Sequence, residues 1–293
     1  MLSDNLTVCI FAYNEEKRIT YAFKNFIGKF NVLVIDNYSK DGTLEICRIH
    51  GVRYISLDNE GFVERPEIMS TVWDNIDTDY MLRALCGEYF PDELLDLYAK
   101  VANEGTYDVI YTARASITAG KHLYVWGNAK KSIKGLESPR FSKRDSIDYE
   151  GNIIHQEGKV VCEKDRILRG SKDVHLMFYQ FRDYDSSWTE VKHGTYNDVN
   201  AMLLYNAGEK YSFTKMLSIS LKSVLIDYFY HGTYRQGHLG FMHAYYRFHL
   251  FMSLYLRLWD IENNHRKDEI SAIHNSIRER LLAKEMNVEK LFD

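Results

Sequence analysis

Polar side chains follow two short apolar runs near the start of the chain. Tyr13 and Glu15 come directly after the run 7–12, and Asp36 ends the run 31–36. An aspartate can accept a hydrogen bond from a ring N–H, a tyrosine can stack on a planar ring, and a glutamate can bind hydroxyl groups. These side chains could bind a ligand with such groups; the alternative is that Asp36 merely caps a turn.

A second group of side chains offers acid–base chemistry. Positions 155–157 read His-Gln-Glu, and a glutamate close to a hydroxyl group can take its proton. If this stretch is a strand, Gln156 and Glu157 point to opposite faces, so only one of them can enter a site. His155, Gln156 and Glu157 are therefore candidates for acid–base chemistry.

Basic residues are concentrated in the middle of the chain. One glutamate and seven basic residues lie between positions 121 and 144, namely Lys121, Lys130, Lys131, Lys134, Arg140, Lys143 and Arg144. The segment is either a solvated loop or a loop that binds a phosphate or an acceptor. For the second role we select Arg140, Lys143 and Arg144, which can neutralise a diphosphate without a metal ion.

Two common kinds of cofactor site lack their sequence patterns. A dinucleotide site needs Gly-x-Gly-x-x-Gly after the first strand, and residues 12–19 read AYNEEKRI, with no glycine. The four cysteines are far apart and form no Cys-x-x-Cys pair, and the histidines of the C-terminal part lack metal-ligand spacing. We expect neither a nicotinamide cofactor nor a zinc ion.

The apolar pattern predicts the elements that position these side chains. The runs 7–12 and 31–36 are continuous, which is typical of strands buried on both faces. Between them a helix starts at Ile19, and a second helix extends from Asp41 to Gly51 before a third strand. The pattern predicts an α/β fold, with a mainly parallel sheet and helices on both of its faces.

The second half of the chain is predicted to be mostly helical. Pro91 begins a helix that Gly105 closes, and a strand follows it. Further helices are predicted at 187–208, 212–230 and 239–259, followed by a charged amphipathic helix at the C-terminus. We therefore divide the chain into an α/β domain, 1–185, and a helical C-terminal region, 186–293, packed on it.

The segment 239–259 is long enough to cross a membrane, but four basic or histidine side chains interrupt it: His243, Arg247, His249 and Arg257. We expect a core helix with an outward polar face. The alternative is a helix that lies on a membrane surface, where tyrosine, tryptophan and arginine are favoured. A peripheral membrane contact is therefore retained as an alternative.

The composition is that of an ordinary globular protein. The chain has 293 residues, of which 45% are hydrophobic and 27% charged, and its formal net charge is -4. This charge gives no overall attraction to nucleic acid. The first residues include acidic Asp4 and do not resemble a signal peptide, so a reducing cytoplasm is the expected compartment.

The residues around the two predicted strand ends carry a family resemblance. The stretch TVCIFAYNEEKRI, followed by VLVIDNYSKDGTLEICRIHGVRYI, resembles the donor half of family 2 glycosyltransferases, which have the GT-A fold. In that family the first strand ends in a Tyr-Asn-Glu-like turn and the second ends in an aspartate. The resemblance implies that a nucleotide sugar contacts Ala12, Tyr13, Asn14, Glu15, Asp36 and Asn37.

The resemblance continues beyond residue 60. The stretches GFVERPEIMSTVWDNIDTDYML, GEYFPDELL and RFSKRDSIDYEGNIIHQE resemble the lipopolysaccharide-core glucosyltransferase branch of the family. They add Arg65 and Glu88 to the donor-binding candidates and imply that Glu157 is the base of an inverting displacement. The implied donor is a UDP-sugar. The implied acceptor is a cell-surface polysaccharide or lipopolysaccharide, which is a glycan or a glycolipid.

One part of the family pattern is missing. The Asp-x-Asp pair that would hold Mn²⁺ or Mg²⁺ against the donor diphosphate is replaced by Leu85 and Gly87. Glu88 and His155 remain as candidate ligands, too few for a cation that prefers six oxygens. We expect metal-independent transfer that uses the basic segment. The alternative is a non-catalytic GT-A-fold protein that binds a nucleotide sugar or a partner glycosyltransferase.

Overall fold

The structure is a computed structural model that describes residues 2–59, 64–123, 132, 136–152, 156–182 and 186–286. The chain divides into two compact units. The first comprises Met1–Asp185 with Ile226–His243, and the second comprises Ser186–Leu225 with Ala244–Asp293. The domain boundary placed at residue 185 from the sequence stays a prediction.

Strands and helices alternate in the first half of the chain. The described strands are β1 (Leu6–Ala12), β2 (Asn31–Asp36), β3 (Arg53–Ser56), β4 (Tyr80–Leu85), β5 (Glu88–Tyr89), β6 (Val109–Thr118), β7 (Lys121–Leu123), β8 (Glu137–Lys143), β9 (Ile147–Asp148), β10 (Lys159–Val160), β11 (Ile167–Leu168) and β12 (Met177–Arg182). The described α-helices are α1 (Ile19–Phe26), α2 (Thr43–Ile49), α3 (Pro66–Asp74), α4 (Asp92–Glu104), α5 (Ser186–Asn206), α6 (Phe213–Leu225), α7 (His238–Glu262) and α8 (Lys267–Leu282). A π-helical turn, Ile226–Tyr230, follows α6.

Ten strands form one sheet in the order β3-β2-β1-β4-β8-β6-β12-β5, with β7 and β11 also paired to β6. Strands β3, β2, β1 and β4 are parallel, whereas β8 runs antiparallel between β4 and β6. Ala12 is opposite Asp36, and Phe11 is opposite Leu85. The carboxyl ends of β1, β2 and β4 therefore lie side by side at one edge of the sheet.

Both faces of the parallel strands are buried. On β1, Val8 and Ile10 belong to a core that includes residues of α1 and α4, whereas Cys9 belongs to a core that includes residues of α3. Successive residues of a strand point to opposite faces, so helices cover both sides of the sheet. The predicted α/β fold with a mainly parallel sheet is confirmed.

The helix ends follow local chemistry. Helix α4 begins directly after Pro91 and ends at Gly105, whose φ of 65° is left-handed and favours glycine. Helix α1 buries Ile19, Phe23 and Phe26, whose spacing in the sequence places them on one helical face. The places of these two helices were therefore predicted correctly.

The second unit is helical. Its core includes Met216, Tyr255 and Leu258, from α6 and α7. Helix α8 has no buried residue, so it is a solvated charged helix. No helix within the described part of the chain has the length and apolarity that a membrane crossing requires.

In the first unit, Gly240 of α7 lies against the turn that precedes the helix. A Cβ atom at Gly240 would be 1.8 Å from the carbonyl oxygen of Thr233. Thr233 is itself buried, and its hydroxyl donates to the carbonyl oxygen of Asp227 at 2.9 Å. Glycine is therefore needed for this close approach of two backbone segments.

We expect Gly240→Ala to lower the free energy of unfolding by about 2 kcal/mol, because the backbone must move to admit the methyl group. Gly194→Ala in α5 is the matched control. There the nearest atom to an added Cβ is Arg257 Nη2 at 3.4 Å, and alanine favours a helix. Urea unfolding followed by circular dichroism measures both variants. Equal stability of the two variants would contradict a rigid contact at Thr233.

Candidate functional site

The turns that follow β1 and β2 are bound to each other by polar side chains. Asn14 N donates to Ser39 Oγ at 2.8 Å, and Lys40 N donates to Asn14 Oδ1 at 2.7 Å. Glu15 N donates to Thr43 Oγ1 at 2.7 Å. Asn14 has a left-handed φ of 53°, which asparagine adopts more readily than most residues. Asn14 thus shapes the site as well as lying in it.

Asp41 strengthens the same connection. Its carboxylate accepts hydrogen bonds from Glu16 N at 3.1 Å and from Thr43 N at 3.0 Å. Partial burial acts to raise the pKa of Asp41, but the hydrogen bonds from Thr43 and Glu16 outweigh it and lower the pKa. The N-cap residue of α2 is Gly42, so Asp41, which the sequence predicted to cap this helix, instead stabilises the turn that precedes it.

Asp36 lies at the carboxyl edge of the sheet with one oxygen unpaired. The residue is fully buried, and its Oδ2 accepts a hydrogen bond from Ser39 N at 3.0 Å. Its Oδ1 is also buried and has no hydrogen-bond partner among the described residues. A buried carboxylate oxygen without a partner is costly, so Asp36 is suited to accept an N–H from a ligand.

Other predicted residues gather around Asp36. Tyr13 is 45% exposed and follows Ala12, which is opposite Asp36 in the sheet. Asn37 Nδ2 donates to Asn59 O at 3.1 Å, and Asn59 N donates to Asn37 Oδ1 at 2.9 Å. The structure therefore brings Ala12, Tyr13, Asp36 and Asn37 together.

The carboxylate of Glu15 is paired with Arg18, a residue that the sequence analysis did not select. Arg18 Nε donates to Glu15 Oε2 at 2.7 Å, and Arg18 Nη2 donates to Glu15 Oε1 at 2.5 Å. Both side chains are partly exposed to solvent: the exposed fraction is 27% for Arg18 and 14% for Glu15. A bidentate pair of this kind fixes the orientation of the guanidinium group.

Six charged side chains form what we call the Arg–Glu cluster, in which Arg83, Glu88 and Arg140 are buried and Glu64, Arg114 and Glu157 are partly buried. Arg140 Nη2 donates to Glu88 Oε1 at 2.8 Å, and Arg83 Nη1 donates to Glu64 Oε1 at 2.5 Å. Burial raises the pKa of Glu88 even though Arg140 acts to lower it. Equal numbers of arginines and glutamates offset each other, which is the condition for burying such charges.

Glu157 enters this cluster, whereas Gln156 is exposed. The Ser138 hydroxyl donates to Glu157 Oε2. Burial acts to raise the pKa of Glu157, but Arg140 and Arg83 outweigh it and lower the pKa below its usual value. Glu157 is therefore a carboxylate, not a carboxylic acid, at neutral pH. His155, the third predicted member, lies outside the described residues.

Sequence reasoning missed three of the six cluster residues, namely Glu64, Arg83 and Arg114. Arg83 is fully buried in the middle of β4, and its Nη2 donates to Pro139 O at 2.8 Å. Arg114 lies on β6, where burial and the charge of Arg140 lower its pKa. One signal was available, since an arginine inside the apolar run YMLRAL must find a partner if the run is a buried strand.

The basic segment 121–144 does not form one surface. Arg140 is buried and paired with Glu88, whereas Lys143 is opposite Tyr80, at the other end of β4 from Leu85. Arg144 Nη2 donates to Trp73 O at 2.9 Å and to Ile76 O at 3.1 Å. The structure therefore does not bring Arg140, Lys143 and Arg144 together.

Arg65 and the remaining lysines of the basic segment are exposed or lie outside the described residues. Arg65 is exposed and immediately precedes Pro66, the first residue of α3. Lys121 is exposed on β7, whereas Lys130, Lys131 and Lys134 lie outside the described residues.

The residues at the predicted metal position do not fit a divalent cation. Leu85 and Gly87 supply no ligand atoms, and Glu88 already accepts hydrogen bonds from Arg140 Nη2 and from Leu85 N at 2.9 Å. Arg18 Nη1 would lie 3.0 Å from a Cβ atom at Gly87. Across the described ranges, no three His, Cys, Asp or Glu side chains are grouped to hold a metal ion.

Known proteins similar to this chain share its fold class. The model of Glycosyl transferase family 2 matches residues 7–161. No curated protein matches the chain significantly.

Solved structures of low identity are also similar. Staphylococcus aureus TarS has 17% identity and a TM-score of 0.45 over 87% of this chain and 55% of that one. TarS 1-349 in complex with UDP-GlcNAc has 15% identity and a TM-score of 0.45, over 89% of this chain and 92% of that one. Glucosyl-3-phosphoglycerate synthase from Mycobacterium tuberculosis, in complex with Mn²⁺ and UDP-glucose, has 14% identity and a TM-score of 0.43, over 71% and 81%. The chain thus spans about half the length of full TarS.

We expect Glu88→Ala to lower the free energy of unfolding by about 3 kcal/mol or more, because Arg140 would remain buried without its partner. Asp92→Ala is the matched control, since it removes an exposed ion pair with Lys29 and should cost less than about 1 kcal/mol. Urea unfolding measures both variants. A similar small loss in each would contradict a structural role for the Glu88–Arg140 pair.

Proposed function

Because the chain belongs to glycosyl transferase family 2, we propose that it transfers a sugar from a nucleotide-sugar donor to an acceptor hydroxyl group. The observation that supports this most directly is the unpaired Oδ1 of buried Asp36 at the carboxyl edge of the sheet. Ligands of open α/β sheets bind at this edge. The base of a nucleotide can supply the N–H that Asp36 lacks.

The proposed donor is a UDP-sugar. A uracil ring has one N–H that can donate to Asp36, and the exposed ring of Tyr13 can stack on it. The hydrogen bonds between Asn37 and Asn59 hold the residue next to Asp36 in place. The site is therefore largely preformed on the protein side.

The proposed chemistry is a direct displacement that inverts the anomeric carbon. The acceptor oxygen forms a bond to this carbon while the bond from the carbon to the diphosphate oxygen breaks. The acceptor proton passes to Glu157, which is ionised at neutral pH because Arg140 and Arg83 lower its pKa. The proposed transfer is metal-independent, since the residues at positions 85, 87 and 88 do not fit a cation.

The proposed acceptor is a cell-surface polysaccharide or a lipopolysaccharide-type glycolipid, assembled at the inner face of the cell membrane. In support, the segment 226–241 exposes several aromatic rings: Phe229, Tyr230, Tyr234 and Phe241. Aromatic side chains with a polar end are favoured at membrane interfaces. A glycolipid acceptor would present its sugar close to such an interface.

We expect the protein to release a nucleoside diphosphate from one member of a panel of nucleotide sugars when a lipopolysaccharide or polysaccharide acceptor is present. The rate should be the same in EDTA and in MnCl₂. Glu157→Gln should lower turnover by about 10²-fold with little change in donor affinity, whereas Glu150→Gln, an exposed control nearby, should not.

The pH dependence provides a second check on Glu157. Its lowered pKa keeps it ionised, so turnover should not fall between pH 8 and about pH 5.5 through protonation of this group. A rate that collapses on chelation would contradict the metal-independent mechanism. Nucleotide binding without any turnover would favour the non-catalytic alternative.

Asp36→Ala should weaken UDP binding by about 1–3 kcal/mol, the range for a lost hydrogen bond to a charged group. Asp58→Ala is a control in the exposed turn after β3. Isothermal titration calorimetry measures both affinities. Unchanged UDP affinity in Asp36→Ala would exclude Asp36 as the base-binding residue.

A further inference from the structure

One arginine of the Arg–Glu cluster has no hydrogen-bonded partner. Arg83 donates to Glu64, and Arg140 donates to Glu88. No hydrogen bond or ion pair joins the guanidinium group of Arg114 to another residue within the described ranges of the chain. Arginine carries five N–H donors, and partly buried donors of this kind normally have acceptors. The donors of Arg114 are therefore available to a ligand.

The neighbouring glutamates do not satisfy Arg114. Glu88 is engaged by Arg140, and Glu157 accepts a hydrogen bond from Ser138. Both glutamates attract Arg114, but burial and the charge of Arg140 outweigh this attraction and lower the pKa of Arg114. A guanidinium group at this depth is costly without a closer anion. An anionic group of a ligand would supply one.

Arg114 lies at the carboxyl edge of the sheet. Ile110 of β6 and Leu82 of β4 are both opposite Phe141 of β8, and β4 and β6 run in the same direction. Counting four residues onward along each strand, Arg114 is about level with Cys86, the first residue after β4. Arg114 is therefore at the same edge as the proposed donor site.

Arg114 is far from the position proposed for the nucleotide base. In the sheet, β6 is four strands from β2, which carries Asp36, with β1, β4 and β8 between them. At about 4.8 Å between neighbouring strands, this separation is roughly 19 Å along the sheet. A donor whose base contacts Asp36 would have its diphosphate and sugar between the two residues. The side of Arg114 is then the side from which the acceptor approaches.

A second polar group on β6 also lacks a partner. Thr118 is four residues beyond Arg114, so the two side chains belong to the same face of the strand. The Thr118 hydroxyl group is buried and has no hydrogen-bond partner among the described residues. This face of β6 therefore offers both a cation and a hydroxyl group to the oxygens of a ligand.

We propose that Arg114 binds an anionic group, a carboxylate or a phosphate, that the acceptor carries near its reacting hydroxyl group. This inference rests on the proposed function, in which Glu157 of the same cluster takes the proton of that hydroxyl group. The guanidinium fork matches two oxygens of a carboxylate or a phosphate. The acceptor is thus an acidic glycan, and a neutral glycan of the same shape is a poorer substrate.

The test uses sugars that differ in charge. Glucuronate and glucose 6-phosphate carry the proposed anionic groups, and glucose is their neutral match. NMR titration measures their affinities for the wild type, Arg114→Ala, Arg114→Lys and Arg169→Ala, and calorimetry measures the affinity of each protein for UDP. Arg169 is the matched control, since its guanidinium group stacks on the ring of Tyr111 in the same strand, 4.0 Å from the ring centre, but is exposed.

We expect the wild type to bind glucuronate or glucose 6-phosphate at least about tenfold more tightly than glucose, because of the charge-assisted hydrogen bonds to Arg114. Arg114→Ala should lose this preference, and Arg114→Lys should retain part of it. Arg169→Ala should match the wild type. UDP affinity should be equal in all four proteins, which also shows that the variants are folded.

Three outcomes would overturn the inference. A wild type without preference for either anionic sugar, or a preference that survives in Arg114→Ala, would remove Arg114 from an acceptor site, while UDP binding leaves the proposed function standing. A tenfold or greater loss of UDP affinity in Arg114→Ala would assign this arginine to the donor diphosphate. Failure of the wild type to bind UDP would reject the proposed donor site, and with it an acceptor role for Arg114.

Discussion

The free-energy cost of burying charged side chains determines how the arginines and glutamates of the central sheet are paired. Glu88 and Arg140 are both almost inaccessible to solvent. Their opposite charges offset each other, which lowers the free-energy cost of burying either one. Their pairing connects β5 to β8, and the neighbouring Arg83 on β4 pairs with Glu64 in the segment before α3. Several strands of the sheet and one loop are therefore held in register by charge neutralisation as well as by backbone hydrogen bonds.

The same constraint determines which groups remain available for a ligand. Glu157 is held ionised by Arg140 and Arg83, and Glu88 is committed to Arg140. Asp36 stands apart, because no donor to its buried Oδ1 lies among the described residues. Glu88 thus supports the site, Glu157 keeps the negative charge that the proposed base needs, and Asp36 is the carboxylate best placed to accept a hydrogen bond from a ligand.

The sequence pattern predicted the parallel strands and helix α4 well. Continuous apolar runs specify buried strands, and Pro91 and Gly105 specify the ends of α4, through interactions between residues that are close in the chain. The pattern also predicted that Ala12, Tyr13, Asp36 and Asn37 would meet, since parallel strands place their carboxyl ends together. It could not predict the Arg–Glu cluster, whose pairs join residues 19 and 52 positions apart. The grouping of Arg140, Lys143 and Arg144 rested on proximity in sequence, but Arg140 is buried and paired within the sheet, whereas Lys143 and Arg144 lie at and beyond the end of β8.

The residues at positions 85 and 87 have a structural role that the sequence alone does not reveal. Read along the chain, Leu85 and Gly87 are a loss of ligands, yet Gly87 also creates the space beside which Arg18 lies. Restoring an acidic side chain at position 87 would place a second carboxylate near a guanidinium that Glu15 already neutralises, and would crowd the carbonyl of Phe181. Gly87, the guanidinium of Arg18 and the carbonyl of Phe181 are therefore packed against one another, and any side chain at position 87 would have to displace one of these groups.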